Sequence, residues 1–427
     1  MKYIINTLGC KVNQYETQAM EAMLREHGHT PAQDGEAADC VIVNTCAVTA
    51  ESGRKSRQAL RRLEADNPDA VSAVCGCWSQ TDAESAKGMA DIVWGSADRR
   101  GFIEAVERAV EARVKCVNVD APFARKVIED LPAGAYGGHA RAWLKIEDGC
   151  ANFCSYCIIP YARGGVRSLP LDRISAQARK LAQDGYLEIV LTGIEIASYG
   201  RDLPGRPGLA DAVEAVAQAA PGVRIRLGSI EPTVVTEGFC ERMARIPGLC
   251  PHFHLSMQSG SDGVLARMKR KYTTAEFYAV CERLRRYFPH CALTTDLITG
   301  FPGETEEEFA ETLAFIQKCA FAAMHVFPYS RRPGTAADRL PGQLTHAEKN
   351  ARAHAAHEVA LRMQTEYLES CVGSTQSVLF ETSADGWSTG HAMNYTEVRV
   401  EGIFPHGLVK NVKILEASGQ MLVGVAV

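Results

Sequence analysis

Long apolar runs are missing from this 427-residue chain. Nowhere do about 18 apolar residues follow one another, so no segment is built to cross a membrane as a helix. The start, Met1-Lys2-Tyr3-Ile4-Ile5-Asn6, holds no apolar stretch long enough for a secretory signal, and a cytoplasmic location is expected. A surplus of positive charge is missing too. Lys and Arg number 46 against 51 Asp and Glu, and a net charge of −5 offers no broad counter-charge for phosphate. Internal repeats and low-complexity tracts are absent. With 46% hydrophobic and 23% charged residues, the composition excludes a disordered or collagenous chain. At roughly 150 residues per domain, the length points to about three domains. What the chain has in quantity is cysteine. There are 15, an odd number that cannot pair completely, and structural disulfides rarely persist in a cytoplasm. Metal or redox chemistry is the better account of some of them.

Periodicity divides the chain. In residues 1–118, Tyr3–Leu8, Asp39–Val43, Val71–Cys75 and Ile92–Trp94 read as strands. Glu16–Glu26, Glu51–Leu63, Ala83–Gly88 and Phe102–Ala112 read as helices between them. Such alternation implies a doubly wound parallel sheet. Periodicity fades over 119–140, where Pro122, Pro132, Gly134, Gly137 and Gly138 gather, which reads as a linker. A second alternation fills 141–371. Its strands are Trp143–Glu147, Glu188–Thr192, Arg224–Ser229, His252–Gln258, Ala292–Thr299 and Ala322–Tyr329, followed by one long helix at Ala347–Ser370. Six βα units suit a complete or partial (β/α) barrel with its chemistry at the carboxyl ends of the strands. The tail, 372–427, has short β-rich runs (Ser377–Phe380, Glu397–Val400, Leu408–Ile414) and reads as a small β-barrel or sandwich. The fold class is therefore α/β with a small all-β module at the carboxyl end.

The strongest local signal is Cys150-Ala-Asn-Phe-Cys154-Ser-Tyr-Cys157, placed after the first barrel strand. An electron-transfer [4Fe–4S] cluster normally takes four thiolates, so three would leave one iron open to another ligand. A structural zinc site would want four closed ligands and fits less well. The spacing is the signature of radical S-adenosylmethionine (SAM) enzymes. A second set is spread out: Cys10, Cys46 and Cys77 each follow a predicted strand of the first domain. Ligands of an open α/β sheet gather at the carboxyl ends of its strands, where three thiols could converge. Three buried inert thiols are the plain alternative.

Around these cysteines the segments become specific. Thr7-Leu8-Gly9-Cys10-Lys11-Val12-Asn13-Gln14, Asn44-Thr45-Cys46-Ala47-Val48-Thr49 and Gly76-Cys77-Trp78-Ser79-Gln80 resemble the three cluster motifs of the methylthiotransferase family. Leu144–Cys150 and Cys157–Gly164 resemble its radical SAM loop. The likeness covers essentially the whole chain, including a tail similar to the family's TRAM domain. On these motifs Cys77, rather than Cys75 inside the strand pattern, is the third ligand of the first-domain set. The resemblance implies two [4Fe–4S] clusters, one on Cys150, Cys154 and Cys157 and an auxiliary one on Cys10, Cys46 and Cys77. It also implies SAM as both radical source and methyl donor. Residues at the strand ends are expected to hold SAM: Tyr156 in the loop, Gly193 and Glu195 after the second strand, Ser229 and Glu231 after the third, Gln258 on the fourth, and Ile298 and Gly300 on the fifth.

Basic runs occur at Arg54, Lys55, Arg57, Arg61 and Arg62 and at Arg267, Lys269, Arg270 and Lys271. A charge run is usually a solvated face. The tail has three basic residues (Arg399, Lys410, Lys413) against five acidic ones and taken alone is a poor RNA binder. Subfamily likeness says more: Gly9–Glu16 and Phe327–Thr335 resemble the branch that acts on N6-threonylcarbamoyladenosine at position 37 of tRNA. The isopentenyladenosine branch typically reads Gly-Cys-Gln-Met-Asn at the first motif, and the ribosomal-protein aspartate branch Gly-Cys-x-Lys-Asn. Threonylcarbamoyl carries a carboxylate, and Arg331 or Arg332 is placed to meet it. The expectation is a tRNA methylthiotransferase acting at C2 of that base, a monomer away from membranes, supplied by an electron donor such as a flavodoxin. The alternatives are the two sister substrates, or a non-catalytic iron–sulfur, RNA-binding redox protein.

Overall fold

The computed structural model describes residues 1–134 and 140–427; Gly137 and Gly138, used above to place the linker, lie outside the described residues. The first sheet has six strands: β1 (Lys2–Thr7), β2 (Thr30–Pro31), β3 (Cys40–Thr45), β4 (Val71–Gly76), β5 (Ile92–Trp94) and β6 (Cys116–Asn118). All are parallel, in the order β2-β1-β3-β4-β5-β6. Every residue of β3 and β4 is buried, as in a parallel sheet covered on both faces. The helices are α1 (Lys11–Glu26), α2 (Ala50–Asp66), α3 (Cys77–Thr81), α4 (Ala83–Lys87) and α5 (Arg99–Ala112). Pairing runs Thr7↔Asn44 and Thr45↔Gly76, so β1, β3 and β4 are adjacent and end at one level. Two elements differ from the sequence reading in a way that matters. Helix α1 starts at Lys11, directly after Cys10, and Cys77 opens a helical turn, α3, rather than a loop.

The central region has β7 (Arg141–Lys145), a short ribbon of β8 (Glu147–Asp148) and β9 (Arg167–Ser168), and then β10 (Glu188–Thr192), β11 (Arg224–Leu227), β12 (His252–Gln258), β13 (Ala292–Thr299) and β14 (Ala323–Pro328). Two parallel three-stranded sheets, β11-β10-β7 and β12-β13-β14, meet through bridges Ile225↔Leu249 and Ile230↔Leu255, which makes an open, partial barrel. The long helix His346–Cys371 lies against β14 and α1 against β7. Residues read as linker are packed: Ile128, Leu131 and Ala133 are buried, and the Leu131 carbonyl accepts from Tyr15 Oη (2.7 Å) and Gln177 Nε2 (3.1 Å). The tail is a closed five-stranded barrel of β15 (Thr375–Ala384), β16 (Trp387–Ala392), β17 (Glu397–Glu401), β18 (Val409–Ser418) and β19 (Met421–Ala426). It is fastened at the amino-terminal ends of the central strands. Arg224 Nη2 donates to the Ser377 carbonyl at 2.9 Å, and the Tyr395 ring meets the guanidiniums of Arg226 (4.6 Å) and Arg141 (5.3 Å) and the His252 ring (5.0 Å). The module thus sits at the end of the strands opposite to the cysteine loop. Among the described residues no helix is long and apolar enough to cross a membrane.

Candidate active site

The three distant cysteines of the first domain follow three neighbouring strand ends. Two glycines let them approach. Gly9, at φ +110°, has no room for a Cβ, which would lie 2.9 Å from Cys46 Cβ and 3.0 Å from its Sγ. Gly76, at φ +105°, passes so close to β3 that a Cβ would lie 2.6 Å from the Thr45 carbonyl oxygen. A left-handed backbone in so little space calls for glycine. The turns carrying Cys10 and Cys77 are thereby drawn in against Cys46. Cys46 and Cys77 are buried and Cys10 is exposed. The rival, Cys75, lies inside β4 and packs into the main core with Tyr3, Ile42 and Phe102, whereas Cys77, in the helical turn after Gly76, packs among Val43, Trp78 and Ile158. Cys77→Ala is accordingly expected to lower the iron of anaerobically reconstituted protein by about half. Cys75→Ala should change it little, at the modest stability cost usual for a small core substitution. The opposite pattern in an iron count would transfer the ligand role to Cys75.

The loop cysteines stand on one wall of a cavity of about 300 Å³ at the carboxyl ends of the central strands. Cys150, Cys154 and Cys157 line it with Tyr156, Ile194, Glu195, Glu231, Gln258, Asp296 and Ile298; across the opening stand Val48 and Thr49, just beyond Cys46. Burial pushes the Cys150 and Cys157 thiols up to about 12. Only a bound metal ion would ionise them at neutral pH. Arg270 Nη1 donates to Cys154 Sγ at 3.2 Å and Arg163 Nε to Cys77 Sγ at 3.3 Å, so each triad has one guanidinium on one of its sulfurs. Among the described residues, the metal-type side chains whose ligand atoms all lie within 4.8 Å are His27, His29 and Glu107, remote from both triads. Each cysteine triad is wider than that, whereas sulfurs on one tetrahedral zinc lie roughly 3.8 Å apart. Both triads fit a cluster of several irons better than a single ion.

Beneath the auxiliary triad lies a buried ionic network. Glu16 of α1 pairs with Arg163, with Arg99 (2.9 Å) and with Lys145 (3.1 Å); Asp148 pairs with Lys145 (3.3 Å), Arg163 (3.4 Å) and Arg167 (3.5 Å). The side chains of Arg99 and Arg163 are fully buried. Four cations thus meet two carboxylates, which suits an anionic group on the neighbouring sulfurs. Arg163 lies in the short helix α6 (Ile159–Arg163) after the cysteine loop, so the network ties that loop to α1. It also donates to Asn13 Oδ1 at 2.9 Å.

Five of the eight residues expected to hold SAM line the cavity: Tyr156, Glu195, Glu231, Gln258 and Ile298. Glu231 is buried, paired with Arg270, and its carboxyl is pushed up to about 7 by burial. Gln258 holds a left-handed backbone, φ +67°. Gly193, Ser229 and Gly300 are not among the lining residues. Gly193 instead makes room for Glu147, whose Oε2 would lie 2.8 Å from an added Cβ, and Gly300, at φ +67°, is pressed against Lys349. Ser229 is exposed. Sequence reasoning missed Asn152, Arg163, Arg270 and Asp296. Arg270 was counted in a basic run, yet its side chain is only 5% exposed. Nothing in a run of charges says which member turns inward.

Known proteins agree with this architecture. The Radical SAM superfamily profile matches residues 144–316, and that of the Uncharacterized protein family UPF0004 matches residues 2–95. Threonylcarbamoyladenosine tRNA methylthiotransferase MtaB of Bacillus subtilis (strain 168) is 39% identical over 424 residues, 96% of this chain and 93% of that protein. The tRNA-2-methylthio-N(6)-dimethylallyladenosine synthase of Symbiobacterium thermophilum is 36% identical over 412 residues, 91% of this chain and 87% of that protein. Among solved structures, the radical S-adenosylmethionine methyltransferase TsrM from Kitasatospora setae shares the fold, with a TM-score of 0.59 at 13% identity over 91% of this chain and 77% of that one. Two triads of thiols, a cavity lined by one of them and by the residues just after Cys46, and relatives alike over nearly the full length lead to one assignment: the chain belongs to the radical SAM methylthiotransferase family.

Proposed function

We propose that the protein transfers a methylthio group to C2 of N6-threonylcarbamoyladenosine at position 37 of tRNA. The observation that carries this reading is the cavity itself: its walls come both from the Cys150–Cys157 loop and from the residues after Cys46. Radical SAM membership implies a [4Fe–4S] cluster and SAM, and Cys150, Cys154 and Cys157 would hold that cluster. Cys10, Cys46 and Cys77 would hold a second one. When bound, these groups supply a radical able to take hydrogen from an unactivated aromatic carbon, and the sulfur that replaces it. The chain's own residues do the rest. Tyr156, Glu195, Glu231, Gln258 and Ile298 form the walls against which SAM would be oriented. Arg270 fixes Glu231 and bonds a loop sulfur, while Ile194, Ile298 and Phe327 exclude water that would quench a radical. The same reading makes the protein a cytoplasmic monomer that draws electrons from a donor such as a flavodoxin. It divides the chain at 1–118, 119–140, 141–371 and 372–427.

Relatives bear both substrate names, so the choice rests on the group added to N6. Arg331 is spent on Asp338 and stands 60% exposed. Arg332 differs: its Nε has no partner among the described residues. Burial pulls its guanidinium below the ordinary value. Lys11, the residue after Cys10, likewise has no ion pair among the described residues, and burial, then the nearby Arg226 and Arg141, pull its ammonium below the ordinary value. Arg332, two residues beyond Ser330 of the cavity lining, is thus an uncommitted cation that suits a substrate carboxylate, which an isopentenyl group lacks. Anticodon stem-loops carrying threonylcarbamoyladenosine, isopentenyladenosine or plain adenosine, assayed together by nucleoside mass spectrometry, test the reading. The first should be the good substrate. Arg332→Ala should slow its conversion roughly 10- to 100-fold, the worth of one charged hydrogen bond, with iron content unchanged. Equal conversion of the first two RNAs would sink the specificity and leave the enzyme class standing.

A further inference from the structure

Beside the catalytic cavity, three aromatic rings lie in the open where a folded chain would ordinarily hide them. Phe123, Phe153 and Tyr161 are 48%, 42% and 45% exposed, and they touch one another. Phe123 and Phe153 are stacked, with centroids 6.1 Å apart and planes 14° from parallel. Tyr161 stands edge-on to both, at 6.4 Å and 5.8 Å. They come from three separate segments: the Pro122–Ala124 turn, the cysteine loop and α6. Two of them are held by their backbones. Phe153 adopts φ +48°, a left-handed conformation that bulky residues rarely take, between Asn152 and Cys154, both of which line the cavity. The Phe123 turn is pressed on Gly164, where an added Cβ would lie 2.1 Å from the Pro122 carbonyl. It is also pinned to the first domain through Arg125, which donates to Gln80 Oε1 (2.8 Å) and Ser96 Oγ (2.9 Å). The rings are therefore presented on a rigid support on the outer side of the loop whose inner side forms the cavity wall.

Exposed lysines lie in the segments on either flank of them. Lys126 follows Phe123 and is exposed. On the other flank Lys269 and Lys271 are exposed in a segment packed on the loop, with Met268 O accepting from Ser155 N at 3.0 Å and Lys271 Nζ donating to Asn152 Oδ1 at 2.8 Å. Aromatic faces between exposed lysines are the chemistry of single-stranded nucleic acid binding. Rings stack on bases and cations meet the phosphates between them. An adenosine cannot reach a recessed cavity while stacked between its neighbours, so those neighbours must be held elsewhere.

We propose that Phe123, Phe153 and Tyr161 form a stacking platform for an unpaired base adjoining the target adenosine, with Lys126, Lys269 and Lys271 on the intervening phosphates. The proposal rests on the RNA substrate given above and adds where that RNA is gripped. The test uses full-length, anaerobically reconstituted protein and an anticodon stem-loop with 2-aminopurine next to position 37. Wild type should bind it and quench the probe. Phe123→Leu and Tyr161→Leu, which keep apolar bulk but remove the ring, should each weaken binding about tenfold and relieve the quench. Phe123→Trp should restore both to within about twofold. Iron per chain checks that each variant is folded, and if one Leu variant loses iron the other decides. Unchanged affinity and quench in a folded Leu variant would overturn the platform alone. The same holds if the substitution slows only reduction by a protein electron donor, which would make the rings a protein-docking patch. Failure of wild type to bind the stem-loop would overturn the RNA reading together with the platform.

Discussion

Replacing Cys150, Cys154 and Cys157 together by alanine is expected to bring SAM cleavage to background and to lower iron from about eight to about four per chain. These three thiols stand on one wall of the cavity at the carboxyl ends of the central strands, where a (β/α) arrangement places its chemistry. No other cysteine shares that wall, so none can take over. The same chemistry should survive Cys240→Ala, because Cys240 is buried in the core with Phe239 and Met243 and touches neither triad. The measurement is 5′-deoxyadenosine formed by reduced protein without RNA, with iron counted in the same sample. Cleavage that persists in the triple variant would remove the radical assignment altogether.

The second large effect concerns stability. Glu16→Gln is expected to destabilise the joint between the first domain and the barrel by about 3–5 kcal/mol, the usual cost of stripping one partner from a buried ion pair. Glu16 is 1% exposed and holds Arg163, Arg99 and Lys145. With its charge gone, Arg99 would lose its ion pair and Asp148 alone would face Lys145, Arg163 and Arg167. The pH dependence follows from the direction of the shift. Its cationic partners hold Glu16 well below the ordinary 4.5 in the folded protein, against the opposing effect of burial. Its contribution is therefore complete above about 4.5 and is lost as pH falls from there through the folded value. Denaturant midpoints at pH 7, 5 and 4 should show the wild type losing stability over the last step, and the variant starting lower with a shallower acid slope. Equal midpoints and slopes would mean that the network contributes specificity rather than stability. Because the protein has several units, the comparison belongs to the transition of the first two and not to a single two-state value.

The small β-barrel shows how a fold element escapes sequence reading. Three runs in the tail read as strands, and five strands are present. Strand β16, Trp-Ser-Thr-Gly-His-Ala, buries Ser388, Gly390 and Ala392, small residues that leave no apolar alternation to detect. Gly390 is there because an added Cβ would sit 2.1 Å from the Leu379 carbonyl oxygen. Strand β19 fails for the reverse reason: Met-Leu-Val-Gly-Val-Ala is apolar on both faces, and period two is hidden. By contrast, β5, β10, β12 and β13 begin and end where the sequence puts them, since a continuous buried run (β5, β10) or a clean alternation of buried and half-buried residues (β12, β13) between turn residues admits one reading.

By itself the sequence determined the chemistry's raw materials. The C-x3-C-x2-C loop after a strand, the Gly-Cys turns and the two rounds of β/α alternation are local features, written in spacing and period, and all were legible. What only the tertiary structure decided are relations between residues far apart in the chain. Glu16 meets Arg163 across 147 positions; Phe123, Phe153 and Tyr161 gather from three segments. Arg331 is occupied while Arg332 Nε is left without a partner among the described residues, and the β module takes the end of the strands away from the cavity. The physical reason is common to all of them. Periodicity records which face of its own element a residue occupies, but ion pairs, ring contacts and docked surfaces depend on which elements the parallel sheets bring side by side. In a run such as Arg267, Lys269, Arg270 and Lys271, the residue that turns inward to the Cys154 sulfur has the same chemistry as its solvated neighbours until the strands are assembled around it.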